Sequence, residues 1–308
     1  MTFALKLRGS LSFPDEKSAT QAYESVTAAA TPLRETTRSG ERLDFRFDGT
    51  VDDDVVAEVE RGLDAVLAVA NQGSVVVSID GDERTKTALQ RTFWQKRWDD
   101  GQIGFHEGRP NDLLVRHFDA LGASPGDRVF VPLCGKAVDL DWLAERGLDV
   151  VGVELSMTAI EAYFSERGKR AQDHAHPVGR HAAFTLGRVT IVCDDLFEID
   201  PAALCAAKPF DVVYDRAALV ALEISTRGRY VERCRSLLGS KGRTLLVAFS
   251  YEPAVPVGPP WSIDETAVRA CFDREVVDVL EQRETSISPR MEAAGVKRIL
   301  ESVYRLRR

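Results

Sequence analysis

The sequence has few cysteines, and they are scattered. Cys134, Cys193, Cys205, Cys234 and Cys271 are odd in number, and no two are spaced C-x-x-C. That pattern argues against a thiolate zinc site or a disulfide framework and for no bound metal. Reduced thiols fit a cytoplasmic location. Long apolar runs are missing as well. No stretch of about 18 apolar residues is available to span a bilayer. The stretch from Met1 to Lys6 reads as a strand opening and not as the apolar core of a secretory signal. Basic excess is also absent. Residues 1–90 hold 10 Lys and Arg against 16 Asp and Glu, a net of −6, and the rest hold 30 against 32, a net of −2. Neither part has the charge that nucleic-acid binding usually requires. Residues 1–88 contain no His and no Cys, so they carry no catalytic constellation.

Those first 88 residues alternate in a recognisable order. Phe3, Leu5 and Leu7 are apolar at period two. Pro14-Asp15 opens a helix with Ala19, Ala22, Tyr23, Val26 and Ala30 on one face. Leu33–Arg38 and Glu41–Phe47 flank Ser39-Gly40, which reads as a two-residue hairpin turn. Asp52–Asp54 place negative charge at the start of a second helix, lined by Val55, Val59, Leu63, Val66 and Ala70. Val75, Val77 and Ile79 close the set. The order is β-α-β-β-α-β, a small α+β unit of ferredoxin-like type. It is expected to be an accessory domain for packing, regulation or homo-oligomer formation, with a second ligand site as the alternative, joined to residues 89–308 by a charged linker over residues 80–92.

The second part alternates strand and helix, as a doubly wound α/β domain does. Candidate strands are 128–133, 149–155, 188–193, 210–215, 243–250, 275–282 and 298–307, which predicts a seven-stranded, mostly parallel sheet. In such sheets ligands lie beyond the carboxyl ends of the strands. Arg128–Lys136 is an apolar run ending in a tight turn with a single glycine, Gly135. Val150–Glu154 is a second run that ends in an acid. A backbone turn followed by a carboxylate about twenty residues on is how this architecture holds a nucleoside. A dinucleotide site needs more glycines to approach its pyrophosphate, so the pattern points to a ligand without phosphates, S-adenosylmethionine first among them. Leu133, Gly135, Glu154, Asp194, Asp195, Leu196 and Phe197 are the residues at those strand ends.

Six blocks in order then resemble the thiopurine S-methyltransferase family. Trp94-Gln-Lys-Arg-Trp98 with Gly104-Phe105-His106 resembles the segment that closes over the cofactor. Pro132–Ala137 and Gly152–Glu154 resemble the cofactor loop and the ribose acid. Tyr214–Val220 resembles Trp-Asp-Arg-Gly-Ala-Leu-Val at the substrate pocket, with Tyr214 and Ala217 in place of the usual Trp and Gly. Ser250–Pro253 and Gly258–Trp261 resemble its proline-rich loop. The resemblance covers roughly seven-tenths of the chain and excludes residues 1–88. It implies a Rossmann-like class I methyltransferase that moves a methyl group from S-adenosylmethionine to the sulfur of a small-molecule thiol. It also implies that Trp94 and Trp98 form a lid, that Arg216 and Arg290 face the acceptor, with Arg216 also at the cofactor, and that Phe105, His106, Tyr214 and Trp261 line the acceptor site. An aromatic lid suits a sulfonium. The competing readings are a core role for the tryptophans, an Arg216–Asp215 pair, Arg290 as a solvated loop residue, a Cys134–His catalytic pair, and His174, His176 and His181 in a variable loop. For function, they are a hydroxyl, amine or inorganic chalcogen acceptor, or a non-enzymatic adenosine sensor.

Overall fold

Alternating side chains build the first sheet. In the computed structural model, which describes residues 2–13, 15–28, 33, 36–52, 55, 59, 63, 66, 70, 72–79, 82–87, 91–205, 208–222, 224–252 and 259–308, contacts divide the chain into Met1–Arg97 and Trp98–Arg308. Each unit is described by itself. The first contains β1 (Thr2–Ser12), α1 (Glu16–Ala28), β2 (Thr37–Ser39), β3 (Arg42–Asp52), β4 (Gln72–Ile79) and β5 (Asp82–Thr87). The sheet order is β2-β3-β1-β4-β5, with every neighbouring pair antiparallel. Leu5, Leu7 and Leu11 of β1 pack with Leu43 and Phe45 of β3 and with Val59, Leu63 and Val66, of which the last three are helical. On the opposite face Lys6 pairs with Asp48 at 3.0 Å. Asp15 accepts the Ser18 N–H at 2.7 Å and so caps α1.

Two expectations for this unit change. The hairpin turn is Gly40-Glu41, between the paired Ser39 and Arg42, one position later than the sequence suggested. Gly40 supplies its positive φ of 57°. The stretch read as a linker contains β5, an edge strand on β4. Its sequence, Asp-Glu-Arg-Thr-Lys-Thr, has no apolar alternation, because an edge strand is best charged. Pro14, Ala30 and the greater part of the second helix lie outside the described residues.

The second unit opens with the end of α2 (Arg91–Asp99) and continues with α3 (Asp112–His117). Its strands are β6 (Arg128–Pro132), β7 (Asp149–Glu154), β8 (Ala175–Val178), β9 (His181–Leu186), β10 (Val189–Cys193), β11 (Phe210–Arg216), β12 (Leu238–Glu252), β13 (Val276–Glu284) and β14 (Arg298–Arg307). The sheet has nine strands in the order β13-β14-β12-β11-β6-β7-β10-β9-β8. The five central strands are parallel, and an antiparallel pair closes each edge. The seven expected strands are present. The two additional ones form the hairpin 175–186, in the stretch read as a variable histidine loop. Ala175–Val178 is too short and too polar to register as a strand, yet the hairpin covers the edge that β10 would otherwise expose. Val129, Val131, Val150, Ile191, Val212 and Leu245 form the centre of the core. The chain leaves β6 toward β7 on one side and returns at β11 on the other. The strand order therefore reverses at β6, and the crevice at its carboxyl end is where this architecture binds ligands.

Candidate active site

The turn after β6 is built by two left-handed residues, Leu133 (φ 48°) and Gly135 (φ 54°). Between them the Cys134 N–H donates to the Val153 carbonyl oxygen at 3.0 Å, tying the turn to β7. The Cys134 side chain sits over Gly152, where an added Cβ would lie 2.5 Å from the sulfur. Burial pushes the Cys134 thiol well up, and the nearby Glu154 carboxyl acts in the same direction. A protonated, buried thiol is inert, so Cys134 is packing and not a nucleophile.

Glu154 ends β7 and is 6% exposed. Its Oε2 accepts the Gly135 N–H at 2.8 Å and its Oε1 accepts the Ser156 N–H at 2.7 Å. Burial raises its pKa, and the backbone donors from Ser156 and Gly135 oppose the rise. Each oxygen keeps further acceptor capacity. The Asp194 N–H donates to the Glu154 carbonyl oxygen at 3.1 Å, which brings the end of β10 alongside. The Asp194 carboxylate meets His181 Nδ1 at 2.5 Å and accepts the Asp195 N–H at 2.6 Å. Asp195, also buried, accepts the Phe197 N–H at 2.8 Å. Leu196 and Phe197 are buried beside it and make an apolar wall.

The segment after α2 lies over the same turn. Trp98 is buried, and its Cζ2 would be 2.9 Å from a Cβ added at Gly135, so glycine is required for the indole to approach this closely. Trp98 packs edge-to-face on Phe105 with ring centroids 5.6 Å apart. Trp94 is half-buried one turn earlier on α2. The Asp99 carboxylate accepts the Thr158 hydroxyl at 2.8 Å, fixing the end of α2 to the helix that follows β7. Arg216, at the end of β11, donates from Nη1 to the Phe105 carbonyl oxygen at 2.6 Å and forms an ion pair with Glu107. Glu154, Gly135, Trp98, Phe105 and Arg216 thus form one unbroken series of contacts. His106 lies in the same segment, its pKa lowered by burial and then by the charge of Lys136.

The expected alternative partner of Arg216 is engaged elsewhere. Asp215 accepts the Tyr230 hydroxyl at 2.7 Å and the N–H groups of Ala218 and Leu219 at 3.0 and 3.2 Å. Burial lifts its carboxyl to about 6 against those bonds. Ala217, where the resemblance led us to expect glycine, holds φ at 69°. Tyr214 was expected to line the acceptor site. Its ring is 1% exposed and its hydroxyl donates to Asp139 at 2.8 Å, so it stands behind the site within the core. Asp139 also accepts the Asn111 N–H at 2.7 Å. Trp261 is 9% exposed, and its Nε1 has no hydrogen-bond partner among the described residues. Arg290 is exposed and reaches the Pro259 carbonyl oxygen at 3.5 Å, so it and Arg216 touch different segments. Residues 253–258 of the proline-rich loop lie outside the described residues.

Sequence reasoning missed Glu107, Asp139 and His181. Glu107 meets Arg216, and Asp139 meets Asn111 and Tyr214, through contacts distant in sequence. Among the described residues no group of His, Cys, Asp and Glu could hold a metal ion, and no helix is long and apolar enough to cross a membrane.

Comparison with known proteins adds the family. Residues 89–308 match the model of the thiopurine S-methyltransferase family. The thiopurine S-methyltransferase of Pseudomonas entomophila is 43% identical over 223 residues, covering 71% of this chain and 100% of that protein. The protein of the same name from Xanthomonas axonopodis pv. citri is 42% identical, with 71% and 100% covered. Among solved structures, the Burkholderia thailandensis 1,6-didemethyltoxoflavin-N1-methyltransferase is 17% identical with a TM-score of 0.49, covering 76% of this chain and 95% of that one.

Proposed function

The chain belongs to the thiopurine S-methyltransferase family and is an S-adenosylmethionine-dependent methyltransferase, and we propose that it methylates the thiol sulfur of a small acceptor. The matched relatives carry that activity in their names, and they are covered over their whole length. Residues 89–308 are read as the methyltransferase domain and residues 1–88 as a ferredoxin-like accessory domain, to which β5 adds an edge strand.

The residues fit the cofactor. Glu154 is a buried acid with acceptor capacity to spare, suited to a ribose diol. Gly135 lets Trp98 pack directly on the turn that follows β6, where any Cβ would push the indole away. Leu133, Asp194, Asp195, Leu196 and Phe197 complete the adenosine side, with Trp94 and Trp98 as an aromatic cover favourable to a cation. When bound, S-adenosylmethionine supplies an activated methyl group on a sulfonium. The chain's own task is then positioning and exclusion of water, which can account for most of the rate. Arg216 and Arg290 favour the ionised thiol of an acceptor, because a nearby guanidinium lowers its pKa. Phe105, His106 and Trp261 border the acceptor, with Tyr214 behind them.

The observation that carries this reading is the continuous contact from Glu154 through Gly135, Trp98 and Phe105 to Arg216, which joins the cofactor residues to the acceptor arginine. Calorimetry with S-adenosylhomocysteine followed by turnover on a panel of aryl and alkyl thiols, phenols, amines and chalcogen oxyanions tests it. Thiols are expected to turn over fastest. Faster methylation of any other class would overturn the thiol assignment.

A further inference from the structure

His181 opens β9, in the hairpin that closes one edge of the large sheet, and its side chain is only 2% exposed. The pairing of Ala182 with Cys193 sets it next to the carboxyl end of β10. There its Nδ1 lies 2.5 Å from Asp194 Oδ2. A neutral imidazole with its proton on Nδ1 donates this bond, and an imidazolium would donate it as well. Asp194 Oδ1 in turn accepts the Asp195 N–H at 2.6 Å, and Asp195 accepts the Phe197 N–H at 2.8 Å. The imidazole is therefore the first member of a relay that fixes the backbone of residues 194–197.

An apolar side chain would open a covering hairpin equally well. Burying an imidazole costs desolvation unless its donor is used, and here it is used on a carboxylate at a strand end that faces the ligand crevice. We propose that His181 is a positioning residue, which holds the Asp194–Phe197 loop in the form that receives the adenine of the cofactor. The proposal rests on the reading that this loop is the adenosine side of the site. It adds a member to that site from a hairpin outside the parallel core of the sheet.

The test uses the full chain, with S-adenosylhomocysteine as the probe in calorimetry and the methyl donor in kinetics. His181→Ala and His181→Leu are each expected to raise the Kd and the donor KM about tenfold, the scale of one lost charge-assisted hydrogen bond. In both variants kcat at saturating donor should change less than about twofold, the pattern of lost binding without lost chemistry. His181→Asn places an amide donor near the Nδ1 position and should return the Kd to within about threefold of the parent. His181→Gln reaches toward the Nε2 position and should not. In an Asp194→Asn background His181→Ala should add no further loss, since the two act through one bond. Glu154→Ala separates the two levels of the argument. If it leaves binding unchanged, the cofactor reading is wrong. If it abolishes binding while His181→Leu and His181→Gln bind as the parent does, the cofactor reading stands and His181 has no positioning role. Should His181→Ala fail to fold, the contrast between the Asn and Gln variants decides the matter.

Discussion

The Arg216 guanidinium donates to the Phe105 carbonyl oxygen at 2.6 Å, so the end of β11 grips the segment that follows Trp98. The same guanidinium pairs with Glu107, two residues further on. One side chain thus both borders the proposed acceptor site and anchors its cover. Replacing it should affect more than substrate charge. Arg216→Ala is expected to lower kcat/KM for the best thiol about 100-fold, with both donor and acceptor KM raised, the scale of losing two charge-assisted bonds. Glu107→Gln keeps the Phe105 bond and should cost less than about tenfold. Steady-state kinetics on both variants checks the ranking, and equal losses would mean that the ion pair alone matters.

Glu154 makes a second prediction. Glu154→Gln presents an amide N–H to one of two backbone donors, Gly135 or Ser156. A buried donor left without an acceptor costs about 1–3 kcal/mol. The variant should therefore melt earlier and bind S-adenosylhomocysteine at least about tenfold more weakly. Calorimetry and a urea titration read the two effects separately.

Much of the parallel core was legible because buried central strands are continuous apolar runs. Val129–Val131, Val189–Val192 and Thr244–Phe249 show it plainly. The same runs put Glu154, Asp194 and Arg216 at or just past the carboxyl ends of their strands, where the structure also has them. The hairpin at 175–186 and the edge strand 82–87 were not legible, because strands at sheet edges carry polar residues and lose the period-two signal. Nor could the sequence tell that Tyr214 points into the core. Its neighbour Arg216 lies two residues on and would share its face in a straight strand, and only Asp139, 75 residues away, fixes where the hydroxyl goes.

Ala217 carries a third prediction. An alanine at φ 69° pays a steric penalty that glycine avoids. Ala217→Gly is expected to raise stability by about 0.5–1 kcal/mol, the steric relief less the added freedom of the unfolded chain. Denaturant midpoints would show it, and a loss of stability would mean that the methyl group packs more favourably than its backbone suggests.

Cys134 and Gly152 should behave as a coupled pair. Gly152→Ala puts a methyl group 2.5 Å from the Cys134 sulfur and should cost about 1–3 kcal/mol by overpacking. Adding Cys134→Ala to that background should restore most of the loss. Cys134→Ala alone should keep full turnover, since the thiol is buried and protonated. Inactivation of that single variant would reinstate a chemical role for the sulfur.

Asp215 sets a pH dependence. Burial raises its carboxyl to about 6, so the folded chain holds this proton more tightly than the unfolded chain does. The stability it contributes is complete below about pH 4 and is lost as pH rises through about 6, by up to about 3 kcal/mol. Asp215→Asn should remove that component. Urea unfolding at pH 4, 5, 6 and 7 on both proteins tests it, and parallel pH profiles would refute the assignment.

β14 is inserted between β12 and β13 although it follows both in the chain. During synthesis β13 must therefore wait unpaired for a strand that has not yet been made. At about 5–20 residues per second, the ribosome needs seconds to add the connection and the strand. The outer two strands must therefore dock together and late, with β14 as the piece that joins β13 to a sheet otherwise already in order.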